Sequence, residues 1–344
     1  MRNHYKKLAI IVPLTSLLSL GILAPTISFA AETKTNDVTP QANSIQGYLI
    51  KDGVKTPLYQ NKKQQTPKLN LEQSGSASPE FPTLPPNPDA GVPLTGTSVT
   101  ELGTIGNTIY FEGNMLPDEY IGDVQKKGVL PNGKIGKHYV QKRSDGQIVI
   151  GFYDPDTLEL YPAELSGWSL AEKFMPDISK VFDGTTKIKR ETQYELINKT
   201  TPDRSASGSI TLSSTAGITT TDAFGFALAM GWKIGAEGGL GDLAKISSEF
   251  SLNLSASYNH SIAIIKSETL STTTSVGPVN NPNYAYNKYT IAAYQLKSTY
   301  TVIPGAGLQK FIDDHKQYLK GLASNVYKYN DKEVYVGVTP GSHQ

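Results

Sequence analysis

Phe224-Gly-Phe-Ala-Leu-Ala-Met-Gly-Trp-Lys-Ile234 is the most regular stretch of this chain. Every second residue is large and apolar, and the residues between them are Gly, Ala or Lys. The alternation resumes from Ile246 to Tyr258, after a Gly-rich tip at Ala236 to Ala244. A period of two predicts β-strands with one apolar face and one polar face. Two such strands joined by a turn form a hairpin.

The length of each run suits a membrane crossing, because a tilted strand needs about 9–11 residues to span the hydrocarbon core. The hairpin is therefore predicted to be the unit of a transmembrane β-barrel. The residues predicted to face lipid are Phe224, Phe226, Leu228, Met230, Trp232, Ile234, Ile246, Phe250, Leu252, Leu254 and Tyr258. Those predicted to face the lumen are Lys233, Lys245, Ser247, Glu249, Ser251, Asn253 and Ser255, with Leu240 and Leu243 at the tip.

The alternative is a half-buried hairpin in a soluble β-sandwich, which is the commoner use of such a pattern. The polar faces favour insertion because they are almost uncharged. One hairpin cannot close a barrel, and open sheet edges are not tolerated in lipid. Membrane insertion therefore requires a ring-shaped homo-oligomer. It also requires a soluble form in which the apolar face is hidden against neighbouring Ser/Thr-rich strands.

Composition limits the other classes. The chain has 344 residues, 32 basic and 31 acidic side chains, and no cysteine. The near balance of charge predicts no nucleic-acid partner, and the lack of cysteine excludes thiolate chemistry. Residues 1–30 have a basic start, an apolar core and small residues at Ser28-Phe29-Ala30, which predicts a cleaved signal peptide and secretion. An uncleaved anchor is the alternative, and no later apolar run is long enough for a transmembrane helix.

Hairpins are predicted at Ile45 to Tyr59, around Lys51-Asp52-Gly53, and around Asp145-Gly146. Near the C-terminus, apolar residues from Leu308 to Leu322 have helical spacing, and a hairpin is predicted around Asn330-Asp331.

Five segments follow from composition and turn signals. The expected fold is mostly β, an elongated arrangement of long antiparallel strands with an amphipathic hairpin and one or two short helices. The segments are a signal peptide (1–30), a Pro/Ser-rich arm that is a linker or an activation segment (31–98), a receptor-binding head with short strands and a helix at Leu170 to Phe182 (99–185), a long-strand region with insertion hairpin 222–260 (186–304), and a C-terminal helix and hairpin (305–344).

Motifs for catalysis are missing. The histidines after the signal segment are far apart, at His138, His260, His315 and His343, and no metalloprotease, nucleophile-elbow or phosphate-loop motif occurs. We therefore predict no enzyme activity, no cofactor and no metal. A hydrolase whose carboxylates are paired only by the fold remains an open alternative.

A tyrosine cluster is a candidate receptor-binding site. Tyr284, Tyr286 and Tyr289 lie beside Asn281-Pro-Asn283 and Asn287. Exposed tyrosines beside amides suit contacts with sugars and proteins. The alternative is that they occupy ordinary strand positions, since Tyr284 and Tyr286 share one parity.

The order of these segments resembles the aerolysin-like toxins of the epsilon-toxin and mosquitocidal-toxin-2 group. The resemblance covers about residues 186–304: a Ser/Thr-rich strand (Ser209 to Thr221), the hairpin ending in Phe250-Ser-Leu-Asn-Leu-Ser-Ala-Ser-Tyr258-Asn259, a Thr-rich strand (Ser267 to Val276), and a strand ending Tyr-Thr-Val-Ile-Pro304. The loop from Val276 to Asn283 lacks the Pro-Pro pair often found there.

This resemblance implies an insecticidal-type, secreted toxin of spore-forming bacteria. Such a toxin binds a protein or glycan receptor on the target-cell membrane, oligomerises and inserts one hairpin per subunit. The alternative function is a secreted adhesin or glycan-binding protein without pore activity.

Overall fold

The computed structural model describes residues 44–60, 78–113, 129–157, 159–162, 177–232, 243–316, 319–322 and 326–344. The predicted signal peptide lies outside these residues. So do Lys233, Ile234 and Leu240 of the predicted hairpin. The predicted mostly-β fold is confirmed, with 48% of the described residues in strands and 15% in helices.

The largest sheet has six antiparallel strands. They are β1 (Ile45–Lys51), β2 (Val54–Tyr59), β3 (Thr95–Thr104), β8 (Lys187–Thr200), β11 (Ile291–Ile303) and β13 (Val326–Val338). Their order in the sheet is β2-β1-β13-β11-β8-β3. Three of the strands are long, with 14, 13 and 13 residues in β8, β11 and β13. The sheet joins strands from four of the predicted segments, so those segments do not form separate sheets.

A two-stranded antiparallel ribbon packs on this sheet. It consists of β9 (Gly208–Ala216) and β10 (Glu268–Val276), the two Ser/Thr-rich strands. The inward residues Ile210, Leu212 and Val276 join the core formed with β1, β11 and β13. The opposite sheet face is covered in part by Phe81 and Leu84, so the described part of the Pro-rich arm is packed against the sheet.

A smaller antiparallel sheet consists of β4 (Thr108–Gly113), β5 (Lys137–Lys142), β6 (Ile148–Tyr153), β7 (Leu160–Pro162) and β12 (Leu319–Leu322). Their order in the sheet is β12-β4-β5-β6-β7. Successive side chains along a strand point to opposite faces, and the two faces of this sheet pack on different helices. One face presents Tyr110, Tyr139 and Tyr153 to the helices that follow β9. The other packs on a 3-10 helix (Ile178–Phe182) and on the helix near residue 310.

The chain forms α-helices where a β-hairpin was predicted. Residues Thr220–Met230 form α1 and Leu243–Tyr258 form α2, and a third helix, α3, spans Ala306–Asp314. The prediction of strands is therefore wrong for this state at Phe224 to Met230 and at Ile246 to Tyr258, and the rest of the first predicted strand, Lys233 and Ile234, lies outside the described residues. The reason is that apolar residues at every second position also include residues four apart, which lie on one face of a helix.

The second helix illustrates this ambiguity. Ile246, Phe250, Leu254 and Tyr258 lie four apart, so they share one helix face as well as one strand face, and all four are buried. Leu252 belongs to the strand pattern but not to this helix face. It remains 68% exposed.

The C-terminal region also differs from prediction. The helix expected from Leu308 to Leu322 ends at Asp314. The hairpin expected around Asn330-Asp331 is instead the continuous strand β13. Its residues here form a bulge opposite β11, where the pairing register shifts between Gln295 and Lys297. The Gln295 side-chain amide donates to the Asp331 carbonyl at 2.8 Å and satisfies the bulge.

Candidate functional site

The helical pair α1–α2 is the candidate functional site, since it contains the segment with the alternating pattern. Thr219 is the N-cap of α1, and its hydroxyl accepts a hydrogen bond from the Asp222 amide at 3.0 Å. It ends at Gly231, which has a φ of 68°. A left-handed residue at this position favours glycine. Local capping therefore defines α1 at both ends, although its interior contains Gly225.

The turn between β3 and β4 holds the end of α1. The Gly106 amide donates to the Met230 carbonyl at 2.8 Å, and the Thr108 amide donates to the Gly231 carbonyl at 3.2 Å. These bonds satisfy carbonyls that a helix end leaves without partners. A Cβ atom at Gly106 would lie 2.1 Å from the Gly231 oxygen, so only glycine fits this contact.

Aromatic packing joins α1, α2 and the main sheet. The Phe226 ring is 1% exposed, and its centroid lies 4.7 Å from Phe250, 4.8 Å from Tyr300 and 4.9 Å from Tyr327. Trp232 packs edge-on against Phe250 at 5.3 Å. Each such ring pair contributes roughly 0.5–1.5 kcal/mol beyond burial. Tertiary packing, more than helix propensity, therefore stabilises these helices.

The helices do not bury every apolar residue of the alternating pattern or expose every polar one. Leu252 is exposed, whereas Ser247 is only 6% exposed. The Ser247 hydroxyl has no hydrogen-bond partner among the described residues. An unsatisfied buried hydroxyl costs about 1–3 kcal/mol. The helical state thus leaves one apolar residue in water and one polar residue in the core. The side chains of Phe224, Leu228 and Leu243 lie outside the described part.

Two serines predicted to face a lumen have a structural role in the helical state. Ser251 Oγ accepts a bond from the Ile264 amide at 2.8 Å, and Ser255 Oγ accepts from the Ile262 amide at 3.0 Å. The two hydroxyls also donate to carbonyls one turn earlier, at 2.9 and 2.7 Å. These bonds attach the segment after α2 to its polar face.

A charged cluster holds the end of α2. Arg190 Nη1 lies 3.0 Å from Glu101 Oε2 and 3.4 Å from His260 Nε2. His260 Nδ1 lies 2.8 Å from the Tyr258 carbonyl, which can only accept, so Nδ1 carries the proton and Nε2 accepts from Arg190. The three side chains are at most 20% exposed. Burial also raises the pKa of the Tyr258 and Tyr300 phenols beside them, which keeps both neutral.

Sequence reasoning missed this cluster. Glu101 lies on β3, Arg190 lies on β8, and His260 is the second residue after α2. Arg190 is 89 residues from Glu101 and 70 residues from His260 in the chain. Each residue type is ordinary in its local context. No local pattern could have brought them together.

A cavity of about 320 Å³ lies beside this helical pair. Thr104 to Asn107 form one wall, and Trp232, Asn253 and Ser257 form part of the other. It is open to solvent rather than enclosed.

The candidate tyrosines do not form an exposed cluster. Tyr284 and Tyr289 are 6% and 0% exposed, and only Tyr286 reaches the surface. The Tyr289 hydroxyl accepts from the Gly208 amide at 2.9 Å and donates to the Gly277 carbonyl at 2.8 Å. Tyr284 donates to the Lys288 carbonyl at 2.8 Å. These two side chains stabilise the junction between the ribbon and β11.

No protein-family model matches this chain, and no curated protein matches it in sequence. In the ranges that the structure describes, no helix has the length and apolar character needed to cross a membrane.

Proposed function

We propose that this chain is a secreted pore-forming protein. In this proposal residues 222–260 leave their helical packing at a target-cell membrane and form a β-hairpin. Several copies assemble into a ring, and each contributes one hairpin to a barrel. The resemblance of residues 186–304 to aerolysin-like toxins supports the proposal. The Ser/Thr-rich ribbon that flanks the helical pair also supports it, because Glu268 is the only charged residue in its two strands.

The observation that carries the proposal is that the helical state exposes one apolar residue of the alternating pattern and buries one polar residue. A strand places Leu252 on the apolar face and Ser247 on the polar face, whereas the helix does the reverse. Local sequence preference and folded structure normally agree. Positions where they disagree are often functional. We infer that this segment is selected for two conformations.

The free-energy balance supports a conversion that depends on the membrane. Most described lipid-facing side chains are already buried in the helical state, so transfer to lipid exchanges one apolar environment for another. Among the described residues of the predicted lipid face, Leu252 alone moves from water into lipid, which contributes about 1.5–3 kcal/mol. Hydration of Ser247 relieves about 1–3 kcal/mol more. The buried set is Phe226, Met230, Trp232, Ile246, Phe250, Leu254 and Tyr258.

Two neighbouring substitutions test the proposal. Leu252→Asp places a charge on the predicted lipid face, and Asn253→Asp places the same charge on the predicted lumen face. Both residues lie on α2, and Leu252 is exposed in the helical state, so we expect both variants to fold. Dye release is measured from liposomes and from vesicles of insect midgut membranes, before and after trypsin.

We expect release by the wild type and by Asn253→Asp, together with a detergent-resistant oligomer, and no release by Leu252→Asp. Equal release by the two variants would show that this strand does not face lipid. An absence of release by the wild type from both kinds of vesicle would contradict the pore itself.

A further inference from the structure

A second cavity, of about 370 Å³, lies on the other side of the β3–β4 turn. The 3-10 helix contributes Val181 and Phe182 to its lining, and the turn contributes Ile105. These three side chains give the cavity an apolar wall. Its size is within the range of small-molecule sites in proteins, about 300–1,000 Å³.

Two lysines line the same cavity. Lys142 is the last residue of β5 and Lys187 is the first of β8. Neither forms an ion pair within the described ranges, although nine of the sixteen other lysines there do. None of the described lining residues is acidic. The cavity therefore combines an apolar wall with positive charge that no described acidic side chain neutralises.

We propose that this cavity binds an anionic amphiphile, with a phosphate or carboxylate head at Lys142 and Lys187 and an acyl chain along Val181, Phe182 and Ile105. Lysine ammonium groups bind such heads through charge-assisted hydrogen bonds. The apolar wall gains from covering the chain. A simple anion would use only the lysines, and an uncharged lipid would use only the wall.

The site is adjacent to the end of α1. Its wall includes Gly106 and Asn107, and the amides of Gly106 and Thr108 cap the carbonyls of Met230 and Gly231. A ligand that moves this turn changes the capping of α1. Binding itself does not depend on the pore, whereas a regulatory effect on the helical pair rests on the proposed function.

The test uses the full chain and soluble probes. Dihexanoyl phosphatidic acid represents a membrane lipid and octanoate represents a free fatty acid, with inorganic phosphate and dihexanoyl phosphatidylcholine for comparison. Binding is measured by calorimetry for the wild type, Lys142→Met and Lys187→Met. The matched control is Lys199→Met, because Lys199 is exposed at the opposite end of β8. Thermal unfolding checks that each variant folds.

We expect saturable binding of an anionic amphiphile. Each cavity substitution should weaken the affinity about tenfold, because it removes one charge-assisted bond. Lys199→Met should leave the affinity unchanged. The stronger of the two anionic probes identifies the source of the ligand. Phe182→Ala should weaken binding of the amphiphile but not of phosphate. Absence of saturable binding, equal affinity for inorganic phosphate, or unchanged affinity in the Lys142→Met/Lys187→Met double variant would overturn the proposal.

Discussion

Replacement of Phe226 by alanine should open the helical pair while the main sheet stays closed. Phe226 is 1% exposed and contacts three aromatic rings at centroid distances of 4.7, 4.8 and 4.9 Å. A buried Phe→Ala change costs about 3–5 kcal/mol. The three ring pairs account for roughly 1.5–4.5 kcal/mol of this cost. The remainder is lost burial and cavity formation.

Hydrogen exchange is the appropriate assay, because it reports local opening. If the cost acts on local opening of α1 and α2, exchange of their amides should accelerate between about 100-fold and several thousand-fold, since each 1.4 kcal/mol is a factor of ten. Amides of β8 and β11 should change much less.

Phe311→Ala is the matched control. Phe311 is 2% exposed and packs on Phe111 at 6.0 Å, on the other face of the small sheet. It should accelerate exchange in α3 and leave α1 and α2 protected. The reasoning would be refuted if Phe226→Ala left exchange in α1 and α2 unchanged, or if both variants opened the same region.

Two further predictions concern charged groups. Arg190→Met removes the bonds to Glu101 and His260, so we expect faster amide exchange at the end of α2 and a decrease of about 2–3 kcal/mol in the free energy of unfolding. The control Lys189→Met removes only an exposed ion pair and should lower the free energy of unfolding by less than about 1 kcal/mol. Equal decreases in the two variants would contradict the role of the cluster. Burial raises the pKa of the Glu333 carboxyl, which accepts a 2.6 Å bond from Tyr194, so its contribution to stability is full below the unfolded pKa and is lost as pH rises through the folded pKa. Glu333→Gln should therefore raise Tm at pH 7 and have little effect at pH 4, and a larger effect at pH 4 would contradict this sign.

Much of the fold could be predicted from the sequence where local signals and the fold agree. The Asp52-Gly53 and Asp145-Gly146 turns join the predicted hairpins β1–β2 and β5–β6. The Ser/Thr-rich strands also pair as two long strands, β9 and β10. In the two hairpins the pattern allows a single structure, because turn residues and strand alternation coincide.

The helical pair could not be predicted, since its apolar residues satisfy two periods at once. Phe250 and Leu254 suit either a strand or a helix, and the choice is made by distant residues such as Tyr300 and Tyr327. The Asn330-Asp331 pair is similar: it suits a turn, yet β11 opposite it makes a bulge more favourable. The charged cluster and the lysine-lined cavity are missed for a simpler reason, because each joins segments that are far apart in sequence.

The conformation of residues 252–256 at a membrane tests the central claim most directly. The chain has no cysteine, so single cysteines at Leu252, Asn253, Ser255 and Ala256 can each carry an environment-sensitive dye. A strand places positions 252 and 256 on one face and positions 253 and 255 on the other. On membranes that the wild type permeabilises, we predict that labels at 252 and 256 enter an apolar environment while those at 253 and 255 stay in water. A label at 255 that enters the apolar environment together with the label at 252, as one helix face requires, would contradict the conversion.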